Sequence, residues 1–234
     1  MKRTVSDILK GNKYPGRGIV TGLSPDGEKA VFAYFIMGRS ASSRNRLFEA
    51  EGDEVQIKLL KAENAGDTSL ILYSPVKISG KKIIVTNGDQ TDTICEYLSS
   101  GRRVIEALRS RTFEPDEPNF TPRISSVFNC ESKKYILSIL KSADEKGSAC
   151  LRQYFEYEAL AGKGHLIHTY ECDGNPLPSF KGEPKPLVIS DSPEELSAEI
   201  WDSLDGDNKI SLVVRYTDIK TGKYTQTIIN KYSR

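Results

Sequence analysis

The stretch GIVTGLSPDGEKAVFAYFIM, residues 18–37, decides the fold. It contains two apolar, β-branched runs, residues 18–23 and 30–37, and both are typical of β-strands. Between them lies SPDG, residues 24–27, in which the proline fixes one φ angle and the glycine tolerates a positive φ. Because short turns of this kind join neighbouring antiparallel strands, the sequence predicts a hairpin and an antiparallel sheet at the start of the chain.

The same pattern of apolar runs separated by turn residues continues through the rest of the chain. Further strands are predicted at residues 55–60, 70–78, 82–86, 124–129, 135–141, 149–157, 166–172, 210–216 and 224–230. The turns at Ser79-Gly80 and Thr221-Gly222 predict two more hairpins. Consecutive strands are therefore expected to pair in an antiparallel manner.

Two segments have helical rather than strand periodicity. Residues 91–109 predict one broken helix or two helices, with the interruption at Gly101. The sequence SPEE, residues 192–195, supplies an N-cap hydroxyl, a proline at the first helical position and the glutamate of a capping box. A helix should extend from it to about Leu204. Strand runs alternating with helices favour the α+β class, with antiparallel sheets covered by helices.

The composition bounds the class of protein. A chain of 234 residues with 38% hydrophobic content and a net charge of +1 can bury an ordinary core, and we expect one domain over residues 1–234. Its charge does not favour binding to nucleic acid, and its apolar runs are too short to span a membrane. The four cysteines form no CxxC pair, so we expect reduced thiols and a cytoplasmic location.

The near-zero total charge is unevenly distributed. Residues 1–48 hold nine Lys and Arg against three Asp and Glu, a net charge of +6, which leaves −5 for the remainder. Four of the arginines, Arg17, Arg39, Arg44 and Arg46, lie among glycines and serines. Guanidinium groups and free backbone N–H groups in such contexts bind phosphate or carboxylate, although a solvated charged surface has the same composition. The sequence thus indicates a compact anion site or a merely basic surface.

Polar clusters at the ends of predicted strands are the candidate functional loops. They occupy residues 37–46, 87–92 and 120–123. In the second cluster, Asp89 or Thr91 would cap the following helix, or the helix N-terminus would bind an anion. His165 and His168 form an HxxH pattern, but on a strand the two side chains point to opposite faces. We therefore expect no metal site.

Five collinear motifs connect these clusters to a known family. They are YPGRG at 14–18, MGRSASSRNR at 37–46, YSPVK at 73–77, TNGDQTD at 86–92 and FEPDEPNFTPRI at 113–124. With these motifs the sequence resembles the archaeal-type IMP cyclohydrolases, which close the second ring of the purine in the last step of de novo IMP synthesis. The resemblance spans about half of the chain and is far more specific than any one motif.

The resemblance implies a fold, a reaction and a set of site residues. The fold would be an αββα sandwich similar to that of N-terminal nucleophile hydrolases. The enzyme would be a hydrolase of the cyclic amidine class that needs no metal or cofactor. Its substrate would be formamidoimidazole-carboxamide ribonucleotide (FAICAR), and its products IMP and water.

Roles for individual residues also follow from the resemblance. The phosphate and ribose would lie near Arg17, Ser40, Arg44, Asn45 and Arg46. Arg39 would face the formyl oxygen, while Tyr73 and Glu114 would transfer protons. The residues that would orient the base and close the site are Asn87, Asp92, Thr121 and Arg123, and the substrate would also contact Gly88, Asp89 and Thr91. Each of these side chains has an alternative role as a structural hydrogen bond or ion pair.

Two other functions remain open at this point. An amidohydrolase of the same fold would need an exposed nucleophile, for which Thr4, Ser6 and Cys95 are the candidates. A non-catalytic purine-nucleotide-binding protein would keep the phosphate contacts without turnover. A small-molecule nucleotide is the expected partner in the first and last cases, and a homo-oligomer is an additional expectation.

Overall fold

A computed structural model that describes residues 3–61 and 71–232 shows two antiparallel sheets. In spatial order, the six-stranded sheet consists of β11 (Lys185–Val188), β10 (Lys163–His168), β1 (Arg17–Leu23), β2 (Lys29–Met37), β12 (Lys209–Asp218) and β13 (Tyr224–Asn230). The seven-stranded sheet consists of β3 (Arg46–Glu51), β4 (Glu54–Leu59), β5 (Val76–Ser79), β6 (Lys82–Thr86), β7 (Arg123–Asn129), β8 (Lys134–Ser142) and β9 (Cys150–Glu158).

The predicted hairpins are confirmed. Strands β1 and β2 pair in an antiparallel register that sets Gly18 opposite Phe35, and Gly27 in their turn has φ +74°. Strands β5 and β6 pair across Gly80, which has φ +58°. Positive φ angles of this size favour glycine because it lacks a Cβ.

Five helices lie among the described residues: α1 (Ser6–Leu9), α2 (Ala41–Arg44), α3 (Gln90–Ser99), α4 (Val104–Arg109) and α5 (Pro193–Ser203). The predicted helix at 91–109 is therefore two helices separated by Gly101, which has φ +76°. The predicted cap of α5 is confirmed, since the Ser192 hydroxyl accepts a hydrogen bond from the Glu195 N–H at 3.2 Å. None of these helices is long and apolar enough to cross a membrane.

Three apolar cores hold the layers together. The largest lies between the two sheets and includes Tyr34 and Ile139. A second lies where α1 and α5 cover the outer face of the six-stranded sheet, around Leu196. The third lies where α3 and α4 cover the seven-stranded sheet, around Ile94. This arrangement is an αββα sandwich, so the predicted α+β class of antiparallel sheets covered by helices is confirmed.

Some predicted boundaries were wrong. The prediction for residues 70–78 begins at a residue outside those described, and the strand starts only at Val76, directly after Pro75, which has no N–H to donate to a ladder. The strand predicted at 166–172 is β10, which ends at His168 and begins at Lys163. Glycines on either side of Lys163 interrupt the apolar pattern, so the true start of this strand was not predicted. Strands β3 and β11 and the short helices α1 and α2 were not predicted.

Candidate functional site

Strand β1 begins at Arg17 and places it at one end of the space between the sheets. The preceding Gly16 has φ +81°, and a Cβ on it would lie 2.2 Å from Thr169 Oγ1 and 2.5 Å from the Tyr170 ring. Only glycine therefore permits this close approach. The Arg17 N–H donates to Thr169 Oγ1 at 3.1 Å, and alternation along β1 directs the side chain to the same face as Ile19, in the inter-sheet core.

Two tyrosines lie beside Arg17, one on a strand and one in the segment before β5. Tyr34 lies on β2, and its hydroxyl is 2.7 Å from the hydroxyl of Tyr73, which precedes β5. Both phenols are buried. Burial raises the pKa of each, while Arg17 and Arg46 act in the opposite direction. Both phenols are consequently protonated at neutral pH, and one of them can donate a proton outward from the pair.

Glu114 supplies the carboxyl group of this region. The side chain is buried, and its Oε2 lies 3.8 Å from Arg17 Nη2. Burial raises the pKa of Glu114 to about 7, with Arg17 and Arg123 limiting the rise. A carboxyl group that titrates near neutrality can accept and return a proton during a reaction.

Arg46, the first residue of β3, contributes a second buried guanidinium. Its Nε donates to the Ser43 carbonyl at 2.8 Å, at the end of the α2 turn. Burial lowers the pKa of Arg46, and the positive charge of Arg17 adds to this effect. Two guanidinium groups thus share one small region with a single carboxyl group beside them.

We name Arg17, Tyr34, Arg46, Tyr73 and Glu114 the central cluster. Three of its buried polar atoms, Arg17 Nε, Arg46 Nη1 and Glu114 Oε1, have no hydrogen-bond partner among the described residues. Leaving such a group unpaired costs about 1–3 kcal/mol, and folded proteins leave few of them. The central cluster thus holds two donors and one acceptor that the described residues leave unpaired.

A cavity of about 490 Å³ lies beside the segment that carries Glu114, and no residue of the central cluster lines it. It is lined in part by Arg123, whose charge acts on Glu114, and by Phe113 and Pro115, the two neighbours of Glu114 in sequence. This volume is within the range of small-molecule sites.

Three predicted site residues from the arginine-rich loop lie nearer the surface. The half-exposed Arg39 donates from Nη1 to Asp173 Oδ1 at 2.7 Å. Arg44 donates from Nε to the Gly38 carbonyl at 3.0 Å. Ser40 caps α2 through a reciprocal pair of bonds with Ser43. These side chains therefore bond to partners outside the central cluster, and their substrate roles, including that of Arg39 at the formyl oxygen, stay predictions.

The loop 87–92 forms a scaffold around Arg123. The Asn87 amide donates to the Pro122 carbonyl at 2.9 Å and accepts from the Ile124 N–H at 2.7 Å. A Cβ on Gly88 would lie 2.3 Å from Arg123 Nη1. That nitrogen also lies 2.6 Å from Asp89 Oδ1. The polar groups of this loop therefore fix the position of one guanidinium.

Neither residue predicted to cap α3 does so. Asp89 occupies the N-cap position, but its side chain makes no cap bond and pairs instead with Arg111 and Arg123. These two arginines hold the pKa of Asp89 below its ordinary value despite partial burial. The Thr91 hydroxyl lies 2.6 Å from that of Thr86. Thr91 thus bonds to the end of β6, and Asp89 is used by the two arginines, so neither side chain is left to cap the helix.

Three further predicted residues have structural partners. The Asn45 amide bonds the backbone of Lys61 in both directions at 2.8 Å. Asp92 Oδ1 lies 2.8 Å from Lys77 Nζ. The hydroxyl of Thr121 bonds to Tyr170 and Asp116. Substrate roles for these residues stay predictions.

Tyr34 was missed by the sequence analysis. Alternation on β2 sets it on the same inward face as Phe32 and Ile36. A tyrosine inside an otherwise apolar strand was the available signal, since a buried phenol usually finds a hydrogen-bond partner.

The amino-acid sequence matches the family of IMP cyclohydrolase-like proteins over residues 14–223. It is 31% identical to the IMP cyclohydrolase of Methanopyrus kandleri over 184 residues, which cover 72% of this chain and 89% of that protein. It is 26% identical to the IMP cyclohydrolase of Methanococcus aeolicus over 194 residues, covering 81% and 88% of the two chains. With the IMP cyclohydrolase of Methanocaldococcus jannaschii, it shares 28% identity over 175 residues, 73% and 81% of the two chains.

Proposed function

The chain belongs to the family of IMP cyclohydrolase-like proteins, and on that premise we propose that it is the enzyme that cyclises FAICAR to IMP and water. The match includes all five motifs, so the resemblance found in the sequence is confirmed. The observation that supports a catalytic site is the central cluster, with its unpartnered buried atoms.

The reaction is an attack within one molecule. The carboxamide nitrogen of FAICAR bonds to the formyl carbon, loses a proton and leaves a hydroxyl on that carbon. The hydroxyl then departs as water, together with the proton of the former formamide nitrogen, and a C=N bond forms. Because nucleophile and electrophile belong to the substrate, the protein needs to orient them, move protons and stabilise charge on the formyl oxygen.

Glu114 and Tyr73 have the properties that proton transfer requires. With a pKa near 7, the Glu114 carboxylate accepts the carboxamide proton at neutral pH. The buried Tyr73 phenol, held by Tyr34 at 2.7 Å, donates to the oxygen that leaves. Cyclisation in the central cluster thus uses one base and one acid from different elements of the fold.

Arg17 and Arg46 have different roles in this proposal because Arg17 acts more strongly on Glu114. Because Arg17 lies 3.8 Å from that carboxyl group, we assign it to the developing oxyanion rather than to the phosphate expected from the sequence. Arg46 acts on Glu114 less strongly than Arg17 does, and its unpartnered Nη1 is available for the phosphate. Arg44 and Ser40, which lie nearer the surface, complete the contact with the phosphate. Arg123, held by the 87–92 loop, borders the base.

Incubation of the purified protein with FAICAR tests the proposal. We expect IMP to form and the Glu114→Gln variant to form it far more slowly. Saturable binding of FAICAR without IMP formation would instead establish a non-catalytic nucleotide-binding protein. No interaction with FAICAR would contradict both.

An amidohydrolase would require a reactive nucleophile, and the candidates are poorly suited. Burial raises the pKa of the Cys95 thiol, the opposite of thiolate activation. Ser6 begins α1, which packs with α5 on the outer face of the six-stranded sheet. Replacement of Thr4, Ser6 and Cys95 together should therefore leave FAICAR turnover intact. The expected cytoplasmic location and homo-oligomer stay predictions.

A further inference from the structure

A second deeply buried arginine lies at the other end of the inter-sheet space. Arg215 on β12 is opposite Phe32 of β2 in register, whereas Lys209 at the start of β12 is opposite Met37. The central cluster belongs to the Met37 end, since Arg17 is opposite Ile36. Arg215 therefore faces the turns at the far end of the sandwich.

Structural bonds use only part of the Arg215 guanidinium. Its Nε donates to Gln226 Oε1 at 2.8 Å, and its Nη1 donates to the Asp53 carbonyl at 2.7 Å. The guanidinium also stacks on the Tyr224 ring at 4.0 Å. Its Nη2 is buried and has no partner in residues 3–61 and 71–232. Burial lowers the pKa of Arg215, because Tyr224 and Asp53 offset only part of the desolvation.

A second unpartnered donor lies on the same face of the same strand. Thr217 follows Arg215 by two residues, so both side chains point into the inter-sheet space. Thr217 Oγ1 is buried and is likewise without a partner within the described ranges. Both residues line a cavity of about 450 Å³. The lining of this cavity thus includes two residues with a buried, unpartnered donor, the cationic Arg215 at Nη2 and the hydroxyl of Thr217.

The walls and the rim of the cavity limit what it can bind. Apolar side chains, including Ile83 and Ile219, line it together with the Tyr224 ring. Lys81 at the rim carries one positive charge against the negative charges of Asp53 and Asp218. A dianion would face two carboxylates with one nearby lysine, whereas a monoanion needs only the buried guanidinium.

We propose that this cavity binds a small monocarboxylate with an apolar body. The carboxylate accepts hydrogen bonds from Arg215 Nη2 and Thr217 Oγ1, which compensates the buried charge. The apolar body packs against Ile83, Ile219 and Tyr224. The bond of Nε ties β12 to β13 and the bond of Nη1 ties β12 to the β3–β4 turn, but neither tie explains the two unpartnered donors.

Titration with 3-methylbutanoate, followed by thermal unfolding and by NMR, tests the proposal. The wild-type protein should show a saturable rise in Tm, and inorganic phosphate should bind more weakly. Thr217→Val keeps the shape and removes one donor, so its affinity should fall about tenfold. Arg215→Lys should lose most of the binding. Thr225→Val on the neighbouring strand is the matched control and should bind like the wild type.

A crystal structure of the complex gives a second readout. The carboxylate should lie within hydrogen-bond distance of Arg215 Nη2 and Thr217 Oγ1. Three results would overturn the proposal: no saturable response in the wild type, equal affinity in Thr217→Val, or tighter binding of phosphate. An ordered water alone on Nη2 at saturating 3-methylbutanoate would do the same. FAICAR turnover should be unchanged in Thr217→Val, which separates this site from the nucleotide site.

Discussion

The two ends of the inter-sheet space share one feature and differ in another. Each buries an arginine with an unpartnered nitrogen, Arg46 at 1% exposure and Arg215 at 0%. Around Arg46 stand a second arginine, a buried carboxyl group and a pair of tyrosines. Around Arg215 stand a hydroxyl, apolar side chains and the Tyr224 ring. Both proposals thus assign an anion to a buried guanidinium, and only the one for the Arg46 end includes a reaction.

The carboxyl groups account for the difference in chemistry. Burial raises the pKa of Glu114 to about 7, so it exchanges protons at neutral pH. Hydrogen bonds from Thr221 hold the pKa of Asp218 below its ordinary value, so that group stays ionised. In the two proposals, one end therefore moves a proton and the other only holds an ion.

Replacing the two carboxyl groups by amides should give the largest contrast. Glu114→Gln removes the proton acceptor and should lower kcat for FAICAR cyclisation by about 10²- to 10⁴-fold. Asp218→Asn at the opposite end is the matched control and should leave kcat unchanged. Steady-state assays of both variants measure this, and a loss of less than threefold in Glu114→Gln would remove that residue from proton transfer.

The same carboxyl group should make stability depend on pH. The pKa of Glu114 is about 7 in the folded protein against an ordinary 4.5, so between these values the folded state binds more protons than the unfolded state. The free energy of unfolding should then fall as pH rises through this window, by up to about 3 kcal/mol. Urea unfolding at several pH values should show this slope in the wild type and its loss in Glu114→Gln. Parallel profiles for the two proteins would contradict the assigned burial effect.

The fold was largely predictable because local chemistry decided it. The SPDG turn and the apolar runs beside it define a hairpin whatever surrounds them, and the cap at Ser192 fixes the start of α5. Strand β3 was not predictable in this way. It begins at Arg46 directly after a serine- and arginine-rich turn, and its strand geometry depends on pairing with β4.

The residue types of the site could be predicted from the sequence, but the role of each residue could not. Arg17, Tyr73 and Glu114 lie together, although the sequence had suggested the phosphate for Arg17 and proton transfer for the other two. The bond from Asn45 to the Lys61 backbone lies at the open end of the β3–β4 hairpin, so it could not be predicted while β3 itself was not. The Arg215 cavity was missed for a related reason: a single arginine within an apolar strand carries no motif.

The tyrosine pair provides the third test of the comparison. Tyr73→Phe removes the proposed proton donor and should lower kcat by about 10²-fold, with little change in KM. Tyr135→Phe removes another buried hydroxyl from the same inter-sheet core and should leave kcat unchanged. Steady-state kinetics of both variants measure the contrast. If Tyr73→Phe had the same kcat as Tyr135→Phe, the Tyr73 hydroxyl would have a structural role and no part in proton transfer.

The smallest expected effect compares the two buried arginines directly. Lysine keeps the positive charge but loses the planar fork, so Arg46→Lys gives up both the bond from Nε to the Ser43 carbonyl and the free Nη1 donor. If that donor holds the phosphate, KM for FAICAR should rise about tenfold, while kcat changes little because Arg46 is assigned in this proposal to the phosphate and not to the reacting atoms. Arg215→Lys carries the same chemical change at the opposite end and should leave KM unaltered. A rise in KM in both variants would mean that the ends are coupled through the shared core, and a fall in kcat alone in Arg46→Lys would move Arg46 to the reacting end beside Arg17.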